Sequence, residues 1–412
     1  MIGSGVFLLP ASLAAFGGIG MIGWLCSTIG AILLAFMFGA LGKHGALTIG
    51  GPYVYTRMGL GDFPAYLVAW GYWICIWTTN AAIAVALVGY LTVFIPALAE
   101  RNFLSMMVGL GFIWFFTWIN SKPLKMVASV QIITTVLKVI PIFAIGMFGM
   151  AYIQWDHFVP LNLSGETNWA AITATTTLTT FAFSGMESCG VISGETKDAV
   201  RTVRLATLMG TFITIVVYLS SSIAIMGIIP PAELVHSGAP FADAANLFWG
   251  PSARYIVAGC AVVATMGALN GWILLQGRVP MAAAQDKLFP QVFSKINKHN
   301  SPIIGIAISS SLASALMMLN FSKSMIEGFN FIILLSTLAV IIAYLFSAAS
   351  LAIIEFRKDN KQISRNAWVA LLSFTFCLWV VVGCGEEVVF YGFILLMASI
   401  PFYIFLKKNS QT

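Results

Sequence analysis

Two ionisable side chains lie deep inside apolar stretches of this chain, and each is expensive there. Glu187 stands in the run Ser184-Gly185-Met186-Glu187-Ser188. A charge at the centre of a membrane-crossing helix costs about 2.5–3.5 kcal/mol on insertion scales, so it marks a function or a buried partner. Lys138 lies roughly 18 Å along another apolar run, too deep to snorkel comfortably to an interface. It either pairs with carbonyls and a carboxylate, sits neutral, or acts as a fixed cation that ties helices together, and the residues leave these open.

Glycines interrupt two apolar runs. Gly3-Ser4-Gly5 opens one set of five runs, and Ser184-Gly185, beside Glu187, opens a second set. Breaks in corresponding places of two halves point to a transporter binding site at mid-membrane. Irregular backbone is tolerated at that depth only where it lines a cavity. The N–H groups it frees, with the positive end of the following half-helix, suit a substrate carboxylate. Small residues at helix crossings would explain either cluster alone. The pairing of the two, with an acid beside one, favours the site. Of the aromatic residues, Trp70, Tyr72, Trp73 and Trp77 form a dense group of the kind that usually packs or anchors. Trp272, after Asn270-Gly271 in the middle of a run, is an odd choice for packing. Its face suits a cationic or aliphatic substrate, at about 0.5–2 kcal/mol for a cation–π contact.

The elements that must position these residues follow from composition. The 412 residues are 59% hydrophobic and only 9% charged. A soluble chain carries about 25% charged residues, so a soluble enzyme, a nucleic-acid binder and a disordered chain are all excluded in favour of an all-α polytopic membrane protein. Apolar runs long enough to span are read near 19–41, 64–97, 104–120, 126–153, 169–194, 203–229, 253–283, 303–320, 330–354, 366–383 and 388–407. A twelfth, at 1–16, is too short to cross alone and lacks the basic start of a signal peptide, so it is read as a first span missing its N-terminal half. Of the 21 Lys and Arg, 17 fall in one set of alternate connections, which places that set and both termini in the cytoplasm. The net charge of +6 is thereby explained without a nucleic-acid partner. The longest connection, 42–63, leaves no room for a soluble domain. The six cysteines (Cys26, Cys75, Cys189, Cys260, Cys377, Cys384) form no CxxC pair, and the four histidines show no HExxH spacing, so no metal or cofactor is assigned. No nucleophile–base set suggests an enzyme, and no filter sequence suggests a channel.

At this point the residues reach a known pattern. Gly3-Ser4-Gly5-Val6-Phe7-Leu8-Leu9-Pro10-Ala11 resembles the first-span signature of the amino acid/polyamine/organocation transporters. Gly185-Met186-Glu187-Ser188, Ala224-Ile225-Met226-Gly227-Ile228-Ile229-Pro230, Gly271-Trp272, Leu288-Phe289-Pro290 and Gly385-Glu386-Glu387 narrow the resemblance to the basic amino acid/amine antiporters. Within these, the arginine/agmatine exchangers look closest over the whole chain. The resemblance implies a single twelve-span domain with a 5+5 inverted repeat: residues 1–153 as spans 1–5, 169–354 as spans 6–10, and 366–407 as spans 11 and 12, with spans 1 and 6 broken. It further implies that the chain starts about 20 residues late for a complete first span.

Residue by residue, the resemblance assigns Ser4 and Gly5 to the substrate carboxylate. Asn80 goes to the amino or guanidinium end, Trp272 to stacking on the guanidinium, and Ser336 to the tenth-span part of the site. Tyr72 and Tyr344 match gate aromatics, with Trp77 a neighbour of Tyr72, and Glu187 matches an acid linked to pH sensing and gating. Ser184, in the sixth-span break, joins the substrate contacts. Phe181 departs from the arginine/agmatine pattern, which has Trp there; the aromatic face is kept and the indole N–H is lost. Lys138 also departs, and resembles the fifth-span Lys of proton-coupled amino acid transporters. The function expected is exchange of a basic amino acid, arginine first, for its decarboxylated amine, agmatine, across a bacterial inner membrane. The partners are then small basic substrates and the lipid bilayer, with room for a homodimer. Proton-coupled symport through Lys138, and ornithine/putrescine or lysine/cadaverine exchange, are the alternatives.

Overall fold

The structure, a computed structural model, describes residues 4–45, 51–123, 134, 142–188, 199–320, 325–357 and 364–409. Lys138 and Cys189 lie outside them, as does the side chain of Ser4. Every regular element among the described residues is helical. In chain order the principal helices are α1 Ser4–Ala14, α2 Ile19–Gly45, α3 Pro52–Leu60, α4 Asp62–Leu91, α5 Asn102–Ile119, α6 Asn168–Thr180 and α7 Ala199–Ile228. They continue with α8 Pro240–Trp249, α9 Pro251–Gln285, α10 Ile303–Asn320, α11 Met325–Phe356, α12 Arg365–Gly383, α13 Glu386–Met397 and α14 Ile400–Asn409.

Local chemistry sets several boundaries. Thr167 and Ser364 cap α6 and α12 by accepting from Ala170 N at 3.3 Å and Ala367 N at 3.1 Å. Proline opens α3, α8 and α9, where its missing N–H costs nothing. Eight stretches of the described residues are helical, long and apolar enough to cross a membrane, and the protein is a multi-pass membrane protein. Shorter apolar helices cover Gly5–Ala14, Ile142–Tyr152 and Ile303–Leu319. Two expected spans differ in detail. The run read as 64–97 is helical only to Leu91 and then turns ahead of Pro96. The run read as 388–407 divides into α13 and α14, with Pro401 in the first turn of the latter.

α4 is the centre of the bundle, packed by α9, α10 and α11. Of its most apolar window 89% is buried, against 17% for the stretch Glu386–Lys408. Outer helices instead present large apolar side chains outward. Leu25, Ile29, Ile32 and Phe36 form one exposed stripe along α2, and Phe390, Phe393, Phe402 and Phe405 another along α13 and α14. Exposed apolar belts of this extent fit a lipid surface.

Candidate functional site

The site is built where α6 stops. α6 is rich in threonine, and its hydroxyls bond back along the helix: Thr175 to Ala171 O at 2.7 Å, Thr177 to Thr173 O at 3.0 Å, Thr179 to Thr175 O at 2.8 Å and Thr180 to Thr176 O at 2.7 Å. Satisfied in this way, they can enter an apolar bundle. After Thr180 the chain tightens through Phe181-Ala182-Phe183, and Ser184 turns extended at φ −61° and ψ 148°. Gly185 takes φ +96°, a conformation side-chain-bearing residues rarely adopt. The glycine signal in the sequence is therefore a real interruption of the helix. Ser184 Oγ donates to Phe181 O at 2.7 Å, so that hydroxyl is engaged by the turn itself.

The turn brings Glu187 back on itself. Its carboxylate, 2% exposed, accepts from the N–H of Gly185 at 3.1 Å through Oε2. Tyr72 Oη on α4 donates to Oε1 at 2.7 Å, and Tyr344 Oη on α11 donates to Oε2. Three separate segments thus meet on one buried carboxylate. Three donors are what such a group needs in a low dielectric, since hydrogen bonds to charged groups contribute about 1.5–3 kcal/mol each. Phe38 of α2 closes on Tyr344 with ring centroids 5.0 Å apart.

Gly5, at the start of α1, lies against the same break. A Cβ built there would come 3.2 Å from Ala182 Cα and 3.3 Å from Phe181 Cδ1, so only a glycine allows this approach without adjustment. Phe181 in turn meets Phe329 of α11 edge-on at 6.4 Å. Between the Phe181–Phe329 pair and the Glu187 cluster, Ser336 shares a hydrogen bond with Thr79 of α4 at 2.6 Å and lies 3.4 Å from Cys75 Sγ. At 1.5 Å per residue, Asn330, Ser336 and Tyr344 occupy successive levels of α11 about 9 and 12 Å apart.

Asn80 belongs to a neighbouring polar group. Asn80 Nδ2 donates to Gln276 Oε1 at 2.7 Å, while Asn80 Oδ1 is buried without a protein partner. Gln276 Nε2 donates to Ser310 Oγ at 2.7 Å, and Ser310 shares a 2.6 Å bond with Thr117. Asn120 Nδ2 donates to Asn270 Oδ1 at 3.1 Å. Trp272, one helical turn before Gln276, is half-buried against the core and makes no ring contact with Phe181 among the described residues. Trp77 lies on another face of α4. It lines a groove of about 590 Å³ with Leu312, Phe331, Tyr391 and Glu387.

The structure therefore unites Tyr72, Glu187 and Tyr344, and Gly5 with Phe181, and places Ser336 between the two groups. Asn80 shares a second cluster with Gln276, and Trp272 precedes Gln276 by one turn of α9. Sequence reading missed Gln276, Asn120, Thr117 and Ser310. Their signal was available as amides and hydroxyls inside apolar runs, with Gln276 four residues after Trp272. It also missed a charged lattice at the basic end of the bundle. There Arg57 Nε bonds Asp62 at 2.9 Å, Lys407 Nζ reaches Asp62 at 3.1 Å, and Tyr53 Oη donates to Asp286 at 2.9 Å. Burial, and then the Asp286 charge, push the Tyr53 phenol well above the ordinary tyrosine range.

Comparison with known proteins adds to this geometry. The amino acid permease family model matches residues 1–404. A putative arginine/ornithine antiporter of Bacillus subtilis (strain 168) is 29% identical over 453 aligned residues, covering 100% of this chain and 95% of that protein. The cadaverine/lysine antiporter of Escherichia coli (strain K12) is 29% identical, with 98% and 91% covered. A putrescine transporter of Haemophilus influenzae is 26% identical, with 99% and 94% covered.

Proposed function

The chain belongs to the amino acid permease family, and on that premise we propose that it is an antiporter exchanging a basic amino acid for an amine across a bacterial inner membrane. Its relatives named as arginine/ornithine and cadaverine/lysine antiporters support exchange of this substrate class. Arginine is the amino acid proposed and agmatine the amine. Decarboxylation of arginine consumes a proton, so importing arginine and exporting agmatine removes one proton equivalent per cycle. The basic residues concentrated in alternate connections support cytoplasmic termini.

The observation that carries the reading is the Glu187 carboxylate held by Tyr72, Tyr344 and the broken backbone at Gly185. On this reading it is an inner gate. While the three donors share the carboxylate, α4, α11 and the sixth-span break are drawn together and the site is closed from the cytoplasm. Protonation of Glu187 removes charge from those bonds and biases the carrier toward opening. The substrate carboxylate is received by N–H groups at the start of α1, where the helix dipole favours an anion. The distal cation lies between the Trp272 face and Asn80 Oδ1, a buried acceptor without a protein partner. Phe181 closes the compartment above Ser336. The glycine clusters read in the sequence at Gly3-Ser4-Gly5 and Ser184-Gly185, each opening a set of five apolar runs, support this arrangement.

Proteoliposomes test it. Vesicles loaded with agmatine should take up labelled arginine while empty ones do not, and equal uptake by both would refute exchange. Loading with cadaverine, putrescine or ornithine ranks the alternative pairs. Symport through Lys138 rests on sequence alone. It predicts uptake into empty vesicles driven by a pH gradient, with that coupling lost in Lys138→Ala.

A further inference from the structure

We propose that Gln276 makes the site select a distal cation, by fixing which atom of the Asn80 amide is turned away from it. Four side chains on four helices form one line of hydrogen bonds: Thr117 of α5, Ser310 of α10, Gln276 of α9 and Asn80 of α4. Each is at most 4% exposed, so bulk water does not supply a missing partner. An amide turned end for end keeps nearly the same shape, and only its partners decide which end is which.

Two backbone carbonyls, which accept and never donate, set the direction of the line. Ile306 O lies 3.1 Å from Gln276 Nε2, so the nitrogen end of that amide must face it. Thr117 gives its single hydrogen to Ile113 O at 2.8 Å. In its 2.6 Å pair with Ser310, Thr117 must then accept and Ser310 donate. With its own hydrogen engaged, Ser310 Oγ accepts from Gln276 Nε2 at 2.7 Å. Both carbonyls thus demand the same thing: Gln276 turns its nitrogen to α10 and Oε1 to α4. Oε1 only accepts, so Asn80 must present Nδ2 to it, at 2.7 Å.

Asn80 is thereby held with its oxygen away from Gln276, and Oδ1 is buried without a protein partner. Nδ2 keeps a second hydrogen, so the amide is not an acceptor alone. What the line decides is that an oxygen with both lone pairs, and not the amide nitrogen, occupies the position away from Gln276. An ammonium or guanidinium supplies the N–H groups that such an oxygen lacks, in charge-assisted bonds, whereas an acceptor set against it is repelled. Asn80 follows Thr79, whose hydroxyl is bonded to Ser336, so it stands at the level of the deeper compartment. Gln276 acts here through Asn80 and is a positioning residue.

This inference rests on the exchange reading, in which Asn80 meets the distal cation. It is tested by uptake of labelled arginine into agmatine-loaded proteoliposomes, with citrulline as competitor. Citrulline is neutral and carries a carbonyl oxygen where arginine has one of its terminal nitrogens. In the parent protein it should compete about tenfold more weakly than arginine, or weaker still. Gln276→Met keeps a similar volume but offers Asn80 no acceptor, so the amide is free to turn. The preference for arginine over citrulline should then shrink about three- to tenfold, with KM for arginine raised and the maximal rate kept. Gln276→Glu still offers Asn80 an oxygen and should keep the preference. An unchanged preference in Gln276→Met, an equal loss in both variants, or equal competition by citrulline in the parent overturns the role of Gln276 while leaving exchange intact. A fall in maximal rate with the preference kept marks a merely structural residue and overturns it too. Absence of exchange with every basic substrate in the parent overturns both readings.

Discussion

Replacing Tyr344 by Phe deletes one hydroxyl and nothing else, and the reading of Glu187 as an inner gate fixes what should follow. The hydroxyl donates to Glu187 Oε2, while Tyr72 at 2.7 Å and the Gly185 N–H at 3.1 Å remain. Loss of one hydrogen bond to a charged, buried acceptor costs about 1.5–3 kcal/mol. Because two donors stay in place, the carboxylate is not stranded, and the lower half of that range applies. The closed state alone bears the cost, so the closed-to-open ratio should fall roughly ten- to fortyfold. Ser350 offers a reporter. It is fully buried on α11 against α3, where a Cβ on Gly59 would lie 2.6 Å from Ser350 Cα, so no reagent reaches it while the two helices touch. With Ser350→Cys in a background lacking the native cysteines, the maleimide labelling rate follows the open population. The rate should rise about tenfold or more when Tyr344→Phe is added. Arginine binding retained with an unchanged labelling rate would show that the Tyr344 bond does not hold the inner side closed.

Further outcomes follow from single contacts. Gly185→Ala places a side chain at φ +96° and should cost about 1–3 kcal/mol of local strain, read as a lower Tm in detergent and reduced exchange; wild-type behaviour would refute the need for that turn. Phe181→Trp restores an indole at the sixth-span break and should shift competition toward arginine over lysine and ornithine in counterflow, with no shift in selectivity removing Phe181 from the substrate contacts. Asp286→Asn should lower the titration midpoint of Tyr53, seen as absorbance at 295 nm against the parent protein. The sign follows from the raised folded value. The Tyr53 proton and its bond to Asp286 are held below the unfolded midpoint of about 10, and their contribution is lost as pH climbs through the higher folded one. Identical difference spectra would refute the coupling.

Much of the fold was legible because a bilayer reads the same quantities a sequence displays. Long apolar runs, few charges and basic residues in alternate connections determine helices that cross and the direction in which they do so, since an unsatisfied backbone cannot enter hydrocarbon. The break at Ser184-Gly185 was legible for a local reason: glycine is the residue that tolerates the positive φ found there. Helix ends were less legible, as at Leu91 and at the division before Pro401, because hydropathy continues across turns that backbone bonding does not. The family resemblance singled out Tyr72, Glu187 and Tyr344, but nothing in spacings of 115 and 157 residues says that they share one carboxylate.

What the sequence by itself determined is therefore the class of solvent, the helices and the places where a helix must fail. Which side chains meet was decided only by tertiary structure. Gln276 reaching Asn80, Ser12 reaching Asn330 and Phe181 meeting Phe329 join residues far apart in the chain. Such pairings depend on how each helix is rotated about its own axis. In a chain so uniformly apolar, with little amphipathic contrast to set that rotation, it is fixed by packing and by polar groups finding one another in the assembled bundle.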